Sequence, residues 1–196
     1  MATGKLFVFS APSGAGKSTL KDKLLLRFPV LRYSVSATTR KPRSGEQEGA
    51  HYFFKTPEEF RALIERRELV EHQEVHGNYY GTPKAAVEKA LREGNSVILD
   101  LDVYGKRHFD KAYPDAVGVL IVPPSLEVLE ARLRTRGTDS EDSIQLRLLN
   151  ARDELAFARD KGKYEYTVIN QDFEQALEEL TRIMEKELSL QRASAR

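Results

Sequence analysis

The chain has 196 residues, which is enough for one hydrophobic core with inserted lobes. Hydrophobic residues make up 40% of it and charged residues 31%, and the formal net charge of +1 argues against the large basic surface of a sequence-independent nucleic-acid binder. The chain has no cysteine, which excludes disulfides, thiolate metal sites and cysteine nucleophiles.

Targeting and membrane segments are not evident in the sequence. The apolar stretch at residues 6–9 is too short for the core of a signal peptide. No apolar stretch reaches the about 18 residues that a membrane span needs. We therefore expect a cytoplasmic enzyme or binding module, with neither nucleic acid nor a membrane as a partner. The sequence leaves a monomer and a homodimer both open.

Short apolar segments alternate with longer amphipathic ones along the chain. The predicted strands are Leu6–Ser10, Tyr33–Ala37, Val97–Leu101, Val117–Val122 and Tyr166–Ile169. Each is apolar or β-branched and is bounded by turn residues, as buried strands of parallel sheets are. The alternation predicts an α/β fold, in which helices flank both faces of a parallel five-stranded sheet.

Three helices have clear sequence signals. Thr82, followed by proline, is predicted to cap a helix that ends at Gly94. Thr56 and Glu59 form the pattern of a capping box at the start of another. Near the C-terminus, apolar residues recur at helical spacing and predict a docking face formed by Phe173, Leu177, Leu180 and Met184.

Two regions interrupt this alternation. Residues from about 39 to 81 combine short strand-like pieces, at 52–54 and 69–75, with one helix, and residues from about 125 to 159 form two charged helices. Neither region has enough apolar residues to fold alone. We predict one domain, with a core of residues 1–38, 82–124 and 160–190 that carries both regions as inserted lobes.

A glycine-rich loop follows the first predicted strand and opens a helix. It consists of Ala11, Pro12, Ser13, Gly14, Ala15, Gly16, Lys17 and Ser18. This is the Walker A pattern with alanine at the first glycine position. Small residues let main-chain N–H groups converge on phosphate oxygens, while Lys17 suits the β- and γ-phosphates and Ser18 suits Mg²⁺. A chance glycine-rich turn is the alternative, but the flanking strand and amphipathic helix favour a site for ATP or GTP.

Asp100 ends the apolar strand that begins at Val97, which is the Walker B form. A carboxylate there can orient the water shell of Mg²⁺. A helix cap or turn residue is the alternative, and the presence of the phosphate loop favours the functional interpretation. Asp102, two residues later, is expected to project to the same side of the strand.

Two arginines with a proline between them, Arg40 and Arg43, follow the second predicted strand. Guanidinium groups suit bidentate binding of a phosphate. Hydroxyl donors close to them in sequence come from Tyr52, Tyr79 and Tyr80. A solvated cluster of charges is the alternative, and the local sequence on its own favours it.

Six segments carry a resemblance that is more specific than the phosphate loop alone. They read APSGAGKS, SVSATTRKPRSGE, GAHYFF, GNYYGT, ILDLD and RLRTRGT. In their order and spacing, over about residues 4–188, they resemble guanylate kinase, a P-loop nucleoside monophosphate kinase. The resemblance implies a P-loop NTPase fold with a GMP-binding lobe at about 39–81 and a helical lid at about 125–159. It also implies transfer of the γ-phosphoryl group of ATP to GMP and dGMP, with Mg²⁺, for GTP and dGTP supply and GMP recycling.

The resemblance also implies a set of residues that bind GMP. The phosphate clamp would be Arg40, Arg43, Tyr52 and Tyr80, the base would be bound by Ser36, Glu71, Thr82 and Asp102, and Glu46 and Asp100 would complete the set. Guanine presents N1–H and N2–H₂ donors beside the O6 acceptor, so carboxylates can take the donors and hydroxyls can serve O6. Adenine lacks the N1 donor, and AMP is therefore expected to be a poor acceptor.

On the ATP side, the resemblance implies that residues 11–18, Thr19 and Asn170 contact the nucleotide. Ser18 and Asp100 would hold the metal ion. Beside Lys17, the catalytic residues would be the lid arginines Arg132, Arg136 and Arg147, which close over the polyphosphate and neutralise charge in the transition state. A solvated helical face is the alternative for any of these arginines, and it is the expectation for Arg134.

Some features depart from the family pattern or admit another interpretation. Tyr104 stands where glutamine is usual, and Gln171 stands where an acid is usual. His72 and His76 are four residues apart, but the segment is strand-like, so a shared metal ion is not expected. A kinase for a different acceptor and a non-catalytic module that binds phosphorylated peptides both remain open. The intact loop at residues 16–18 argues against the second.

Overall fold

A computed structural model describes residues 4–75, 77–137 and 140–194. The strands are β1 Leu6–Ser10, β2 Leu31–Tyr33, β3 Ala37–Thr38, β4 Phe53–Phe54, β5 Leu69–Val75, β6 Asn78–Pro83, β7 Ser96–Asp100, β8 Val117–Val122 and β9 Tyr166–Ile169. The helices are α1 Lys17–Arg27, α2 Pro57–Glu65, α3 Lys84–Arg92, α4 Val103–Ala112, α5 Leu126–Arg136, α6 Glu141–Lys161 and α7 Phe173–Ser194.

The central sheet has five parallel strands in the order β2-β7-β1-β8-β9, which confirms the predicted fold class. Strand β1 lies in the middle, and all five of its residues are buried. Its alternating side chains point to opposite faces. Phe7 and Phe9 pack with Leu180 on the face of α1 and α7, whereas Val8 packs with Phe109 on the face of α3 and α4. The loop after β1 therefore leaves the sheet from the centre of a rigid core.

The predicted strand Tyr33–Ala37 is wrong, because it joins parts of two sheets. Strand β2 ends at Tyr33, and Ala37 belongs to a second sheet with the order β4-β3-β6-β5. Ser34 still donates its N–H to the carbonyl of Ile98, but Ala37 pairs with Gly81 of β6. The chain crosses between the sheets over these residues. Because it stays buried at Ser34, Ser36 and Ala37, the sequence pattern shows no break.

The second sheet and α2 lie within residues 37–83, a range that includes the predicted inserted lobe at about 39–81. The capping box at Thr56 and Glu59 is confirmed. In contrast, Thr82 does not cap α3, because it lies in β6 and the helix begins after Pro83 without a side-chain cap. Phe60 of α2 is buried and stacks on Tyr79 at 5.6 Å between ring centroids. This contact fixes the helix on the sheet.

Helices α5 and α6 form the predicted lid region and share a small apolar cluster. Leu129 and Leu133 of α5 are buried against Ile144 and Ala151 of α6. The predicted docking face of α7 is also buried, with Leu177, Leu180 and Met184 in the core and Phe173 packed against it. Among the described helices, none is both long and apolar enough to cross a membrane.

Candidate active site

A cavity of about 620 Å³ lies beyond the carboxyl ends of the central strands. Most of the predicted site residues line it, namely Ala11, Pro12, Ser13, Gly14, Gly16, Lys17, Ser18, Thr19, Ser36, Arg43, Tyr52, Glu71, Tyr80, Asp100, Asp102, Arg132 and Arg147. Ala15, Arg40, Glu46, Thr82 and Asn170 are not among the residues that line it. The backbone of Arg136 ends α5, but its side chain lies outside the described residues. The cavity thus joins the phosphate loop, the second sheet and the lid region.

The phosphate loop is shaped by backbone conformation. Gly14 and Gly16 have φ angles of 92° and 91°, in the region that favours glycine. Asn170 is buried at the end of β9 and donates its side-chain N–H to the carbonyl of Ala15 at 2.7 Å. A Cβ atom added to Gly16 would lie 2.4 Å from the Asn170 amide nitrogen. In this structure, Asn170 therefore holds the loop in place, and its predicted contact with adenine stays a prediction.

Lys17 begins α1 and forms an ion pair with Asp100 across the floor of the cavity. Asp100 reaches this position because β7 pairs in parallel with β1, with Asp100 beside Phe9. The residue next to Lys17, Ser18, also lines the cavity. A hydroxyl and a carboxylate are the hard oxygen ligands that suit Mg²⁺, which is usually held by one or two carboxylates plus substrate phosphates. Ser18 and Asp100 therefore fit a magnesium ion bound together with a nucleotide.

The expectation for the histidine pair falls partly outside the described residues. His72 is exposed on β5, and His76 lies outside the described residues. Within the part of the chain that the structure describes, no group of three or more His, Cys, Asp or Glu side chains is arranged to hold a metal ion.

The two predicted clamp arginines occupy different environments. Arg43 faces the cavity, as do Tyr52 and Tyr80, whose rings meet edge to face at 5.9 Å between centroids. Arg40 donates two hydrogen bonds to the Glu46 carboxylate, at 2.8 and 3.0 Å, and Glu46 also accepts the N–H of Arg43 at 2.7 Å. These bonds raise the pKa of Arg40 and lower the pKa of Glu46. Glu46 thus ties the loop that presents Arg43.

The same cavity is also lined by a buried carboxylate, that of Glu71. Glu71 is 6% exposed and accepts a hydrogen bond from the Thr82 hydroxyl at 2.7 Å. Burial is the main cause that raises the pKa of Glu71 to about 7, and Asp102 adds to this shift. Because Thr82 already donates to Glu71, its role here is to orient that carboxylate. Glu71 also lines the cavity, and a carboxylate has further lone pairs with which it can accept a hydrogen bond from a donor there.

Gly105 brings the core helix α4 close to this carboxylate, and sequence reasoning did not identify it. A Cβ atom added to Gly105 would lie 3.1 Å from Glu71 Oε2 and 3.4 Å from Asp102 Oδ1. Asp102 caps α4 by accepting the N–H groups of Tyr104 and Gly105 at 2.9 and 2.6 Å. The glycine therefore lets two carboxylates from different elements approach the same part of the cavity.

Two of the predicted lid arginines contact the phosphate loop or the residue that holds it. Arg147 donates to the Ser13 hydroxyl at 3.1 Å, and Arg132 donates to the carbonyl of Asn170 at 2.8 Å. Leu133 packs so closely on the loop that a Cβ atom at Gly14 would lie 2.9 Å from its Cδ2 atom. Arg134, as expected, is exposed and pairs with surface glutamates.

The structure explains one departure from the family pattern and reveals an unpredicted residue. Tyr104 packs on Phe157 of α6 at 4.5 Å between ring centroids, so the aromatic ring joins the core helix α4 to the lid region. Glu154 of α6 lines the cavity and was not singled out from the sequence. Its position depends on how α6 packs, which no local sequence signal shows.

The fold and the cavity together define a class of enzyme. A glycine-rich loop leaves the central strand of a parallel sheet, its lysine opens a helix, and an aspartate ends the adjacent strand. A second set of cationic and hydroxyl groups faces the loop across one cavity. This arrangement is that of a P-loop nucleotide kinase.

Comparisons with known proteins identify the family. The guanylate kinase family model matches residues 3–187. The guanylate kinase of Desulfitobacterium hafniense is 46% identical over 181 residues, which cover 92% of this chain and 89% of that protein. The guanylate kinase of Aromatoleum aromaticum is 49% identical, with 92% and 87% covered. The crystal structure of guanylate kinase from Anaplasma phagocytophilum superimposes with a TM-score of 0.76 at 34% identity, covering 95% of this chain and 87% of that one. The chain therefore belongs to the guanylate kinase family, which confirms the resemblance.

Proposed function

We propose that the chain is an ATP:GMP phosphotransferase, which moves the γ-phosphoryl group of ATP to GMP and gives ADP and GDP. The observation that carries the proposal is a single cavity lined by two sets of groups that suit anions. One is formed by the phosphate loop and Lys17, and the other by Arg43, Tyr52 and Tyr80. Family membership supports the same conclusion. The second substrate is accordingly a nucleotide whose own phosphate accepts the γ-phosphoryl group.

Guanine is the base that suits the acceptor end. Glu71 is buried and oriented by Thr82, and Asp102 lies close to it. These oxygens match the N1–H and N2–H₂ donors of guanine. Adenine would leave the buried carboxylate unmatched, and mismatches of this kind can discriminate by about 10⁴. dGMP carries the same base and is an acceptor as well.

Transfer needs no general base. The acceptor oxygen belongs to a phosphate with a second pKa near about 6, which is mostly ionised at neutral pH. Catalysis therefore depends on in-line positioning and on neutralising charge. Lys17 exchanges Asp100 for the donor phosphates when ATP binds. Arg132 and Arg147 lie at the rim of the phosphate loop, from which they reach the transferred group, and Arg136 has the same assignment.

Magnesium belongs to the same proposal. Ser18 and Asp100 would hold the ion beside the donor phosphates, where it would neutralise charge on the β- and γ-oxygens. The pairing of Asp100 with Lys17 keeps both side chains at the floor of the cavity before the nucleotide arrives. Glu46 acts more remotely, since it fixes the loop that carries Arg43.

The test is ADP formation from ATP with GMP, dGMP, AMP or UMP, with and without Mg²⁺. We expect rapid, Mg²⁺-dependent ADP formation with GMP and dGMP, and rates at least 10²-fold lower with AMP and UMP. Calorimetry with ATP separates the enzyme from a non-catalytic module, which would not bind it. Equal ADP formation with and without GMP would overturn the proposal.

A further inference from the structure

The lid helix α6 brings a carboxylate into the same cavity as its arginine. Arg147 and Glu154 both line the cavity wall. They are seven residues apart, which is two helical turns, so they share one face of α6 and are separated by about 10 Å along its axis. Arg147 is beside the phosphate loop, through its bond to Ser13. Glu154 therefore faces a different part of the cavity, nearer the core.

The packing of α6 on α4 determines which part of the cavity Glu154 faces. Phe157, three residues after Glu154, packs on Tyr104, and Ala158 is buried in one cluster with Val103. Val103 and Tyr104 form the first turn of α4, which is capped by Asp102. Glu154 lies one turn before these contacts on α6. Its carboxylate is consequently placed over the capped end of α4, beside the base-binding carboxylates.

Glu154 has no protein partner of its own. Among the described residues, no side chain or main-chain group is in hydrogen-bonding or ion-pair contact with its carboxylate. Burial, and to a lesser extent the charge of Asp102, raise the pKa of Glu154 to about 7, while Lys17 acts in the opposite direction. The carboxylate therefore lies within electrostatic range of both Asp102 and Lys17 and lines the same cavity. A partly buried carboxyl group without a partner is stabilised by a ligand that supplies one.

The part of a bound nucleotide that would occupy this part of the cavity is the ribose. The base donors are matched by Glu71 and Asp102, and the acceptor phosphate is matched by Arg43 and the tyrosines. The ribose joins these two parts, between the base end and the phosphate end of the cavity. A hydroxyl both donates and accepts hydrogen bonds, so it suits a carboxyl group that titrates near neutral pH.

We propose that Glu154 is a substrate-binding residue of the lid, which forms a hydrogen bond with a ribose hydroxyl of the bound GMP. This inference rests on the proposed function, because it assigns a further contact to the same acceptor. It gives α6 two ligands on one face, a guanidinium for phosphate and a carboxylate for ribose. Closure of the lid then responds to the acceptor nucleoside as well as to the polyphosphate.

The experiment combines changes in the protein with changes in the nucleotide. KM and kcat are measured at saturating ATP for GMP, 2′-deoxy-GMP and 3′-deoxy-GMP. The proteins are the wild type, Glu154→Ala, Glu154→Gln and the control Asp153→Asn, which changes an exposed carboxylate next to it. Each pair of changes forms a thermodynamic cycle, in which a direct contact appears as non-additivity.

We expect Glu154→Ala to raise the KM for GMP about 10-fold, as the loss of one hydrogen bond to a charged group does. The KM for ATP should change less than about 2-fold, and Glu154→Gln should have a smaller effect because the amide oxygen still accepts. For the deoxynucleotide that lacks the contacted hydroxyl, Glu154→Ala should no longer raise the KM. Asp153→Asn should match the wild type.

Two results would overturn the inference. One is an equal increase in KM for all three acceptors, which would indicate a structural role of Glu154. The other is an unchanged KM for GMP together with a changed Mg²⁺ dependence, which would assign the residue to the metal. Both leave the proposed function intact, since that fails only if the wild type forms no ADP in response to GMP.

Discussion

The two ends of the cavity, which we propose to bind the donor and acceptor phosphates, are built by different means. At the donor end, the loop is shaped by the left-handed backbone of Gly14 and Gly16, by a hydrogen bond from Asn170 and by packing of Leu133. At the acceptor end, the binding groups are side chains rather than main-chain N–H groups. These side chains are positioned by hydrogen bonds to other side chains, as Glu71 is by Thr82 and Arg40 is by Glu46.

The difference matters for specificity. Main-chain N–H groups at a helix N-terminus bind any phosphate group in reach and carry no information about the base. Side chains present donors and acceptors in a fixed pattern and can reject the wrong base. We therefore expect substitutions at the donor end to abolish the chemistry, and substitutions at the acceptor end to change which nucleotide is used and how well.

The largest effect is expected for Lys17→Met. The substitution removes the cation that reaches the donor phosphates, and turnover should fall by about 10³-fold or more. GMP should still bind with an affinity close to that of the wild type, because Lys17 lies at the other end of the cavity. Single-turnover transfer and calorimetry with GMP measure the two quantities. Transfer at the rate of the wild type would exclude the assigned role.

Glu71→Gln should affect the acceptor far more than the donor. It replaces a buried acceptor by an amide that presents a donor to N1–H, and kcat/KM for GMP should fall by about 10²-fold. The KM for ATP should change less than about 3-fold. Steady-state kinetics with each substrate varied in turn measure both. Equal losses for ATP and GMP would contradict the distinction between the two ends.

The same residue gives a prediction about pH and stability. Because burial raises the pKa of Glu71 to about 7, the folded chain holds a proton there that the unfolded chain releases near about pH 4.3. The stabilising contribution of Glu71 is present at low pH and is lost as the pH rises through about 7. Between about pH 5 and pH 8, the free energy of unfolding of the wild type should therefore fall by on the order of 2 kcal/mol relative to that of Glu71→Gln. Urea unfolding of both proteins at each pH measures the difference, and parallel pH profiles would contradict it.

The smallest effect is expected at a structural position of the acceptor lobe. Thr56→Ala removes the side-chain half of the α2 capping box and should lower the free energy of unfolding by about 1 kcal/mol. The helix contributes no residue to the cavity wall, so the KM for GMP should remain within about 2-fold of the wild type. Thermal unfolding and kinetics on the same samples check this. A large rise in KM would mean that the acceptor site depends on the stability of α2.

The core of the fold and most of the cavity wall could be predicted from the sequence, for a physical reason. Buried parallel strands, loop glycines and a strand-end carboxylate are local features, and their spacing places them at one edge of the sheet. The crossing between sheets at Ser34–Ala37 could not be predicted, because Ser34, Ser36 and Ala37 are all buried and the sequence pattern shows no break. Thr82 has the local pattern of a helix cap, but its hydroxyl is used by Glu71, eleven residues away in sequence. Gly105 and Glu154 acquire their roles only through tertiary packing.

The most direct test of the central claim is binding of a single molecule that contains both nucleotides, adenosine and guanosine joined by five phosphates. If the two anion sites face each other across one cavity, calorimetry should give one molecule bound per chain, with an affinity well above that of ATP or GMP alone. It should displace both nucleotides. A ligand that displaces only one of them, or that binds no more tightly than ATP, would contradict the account.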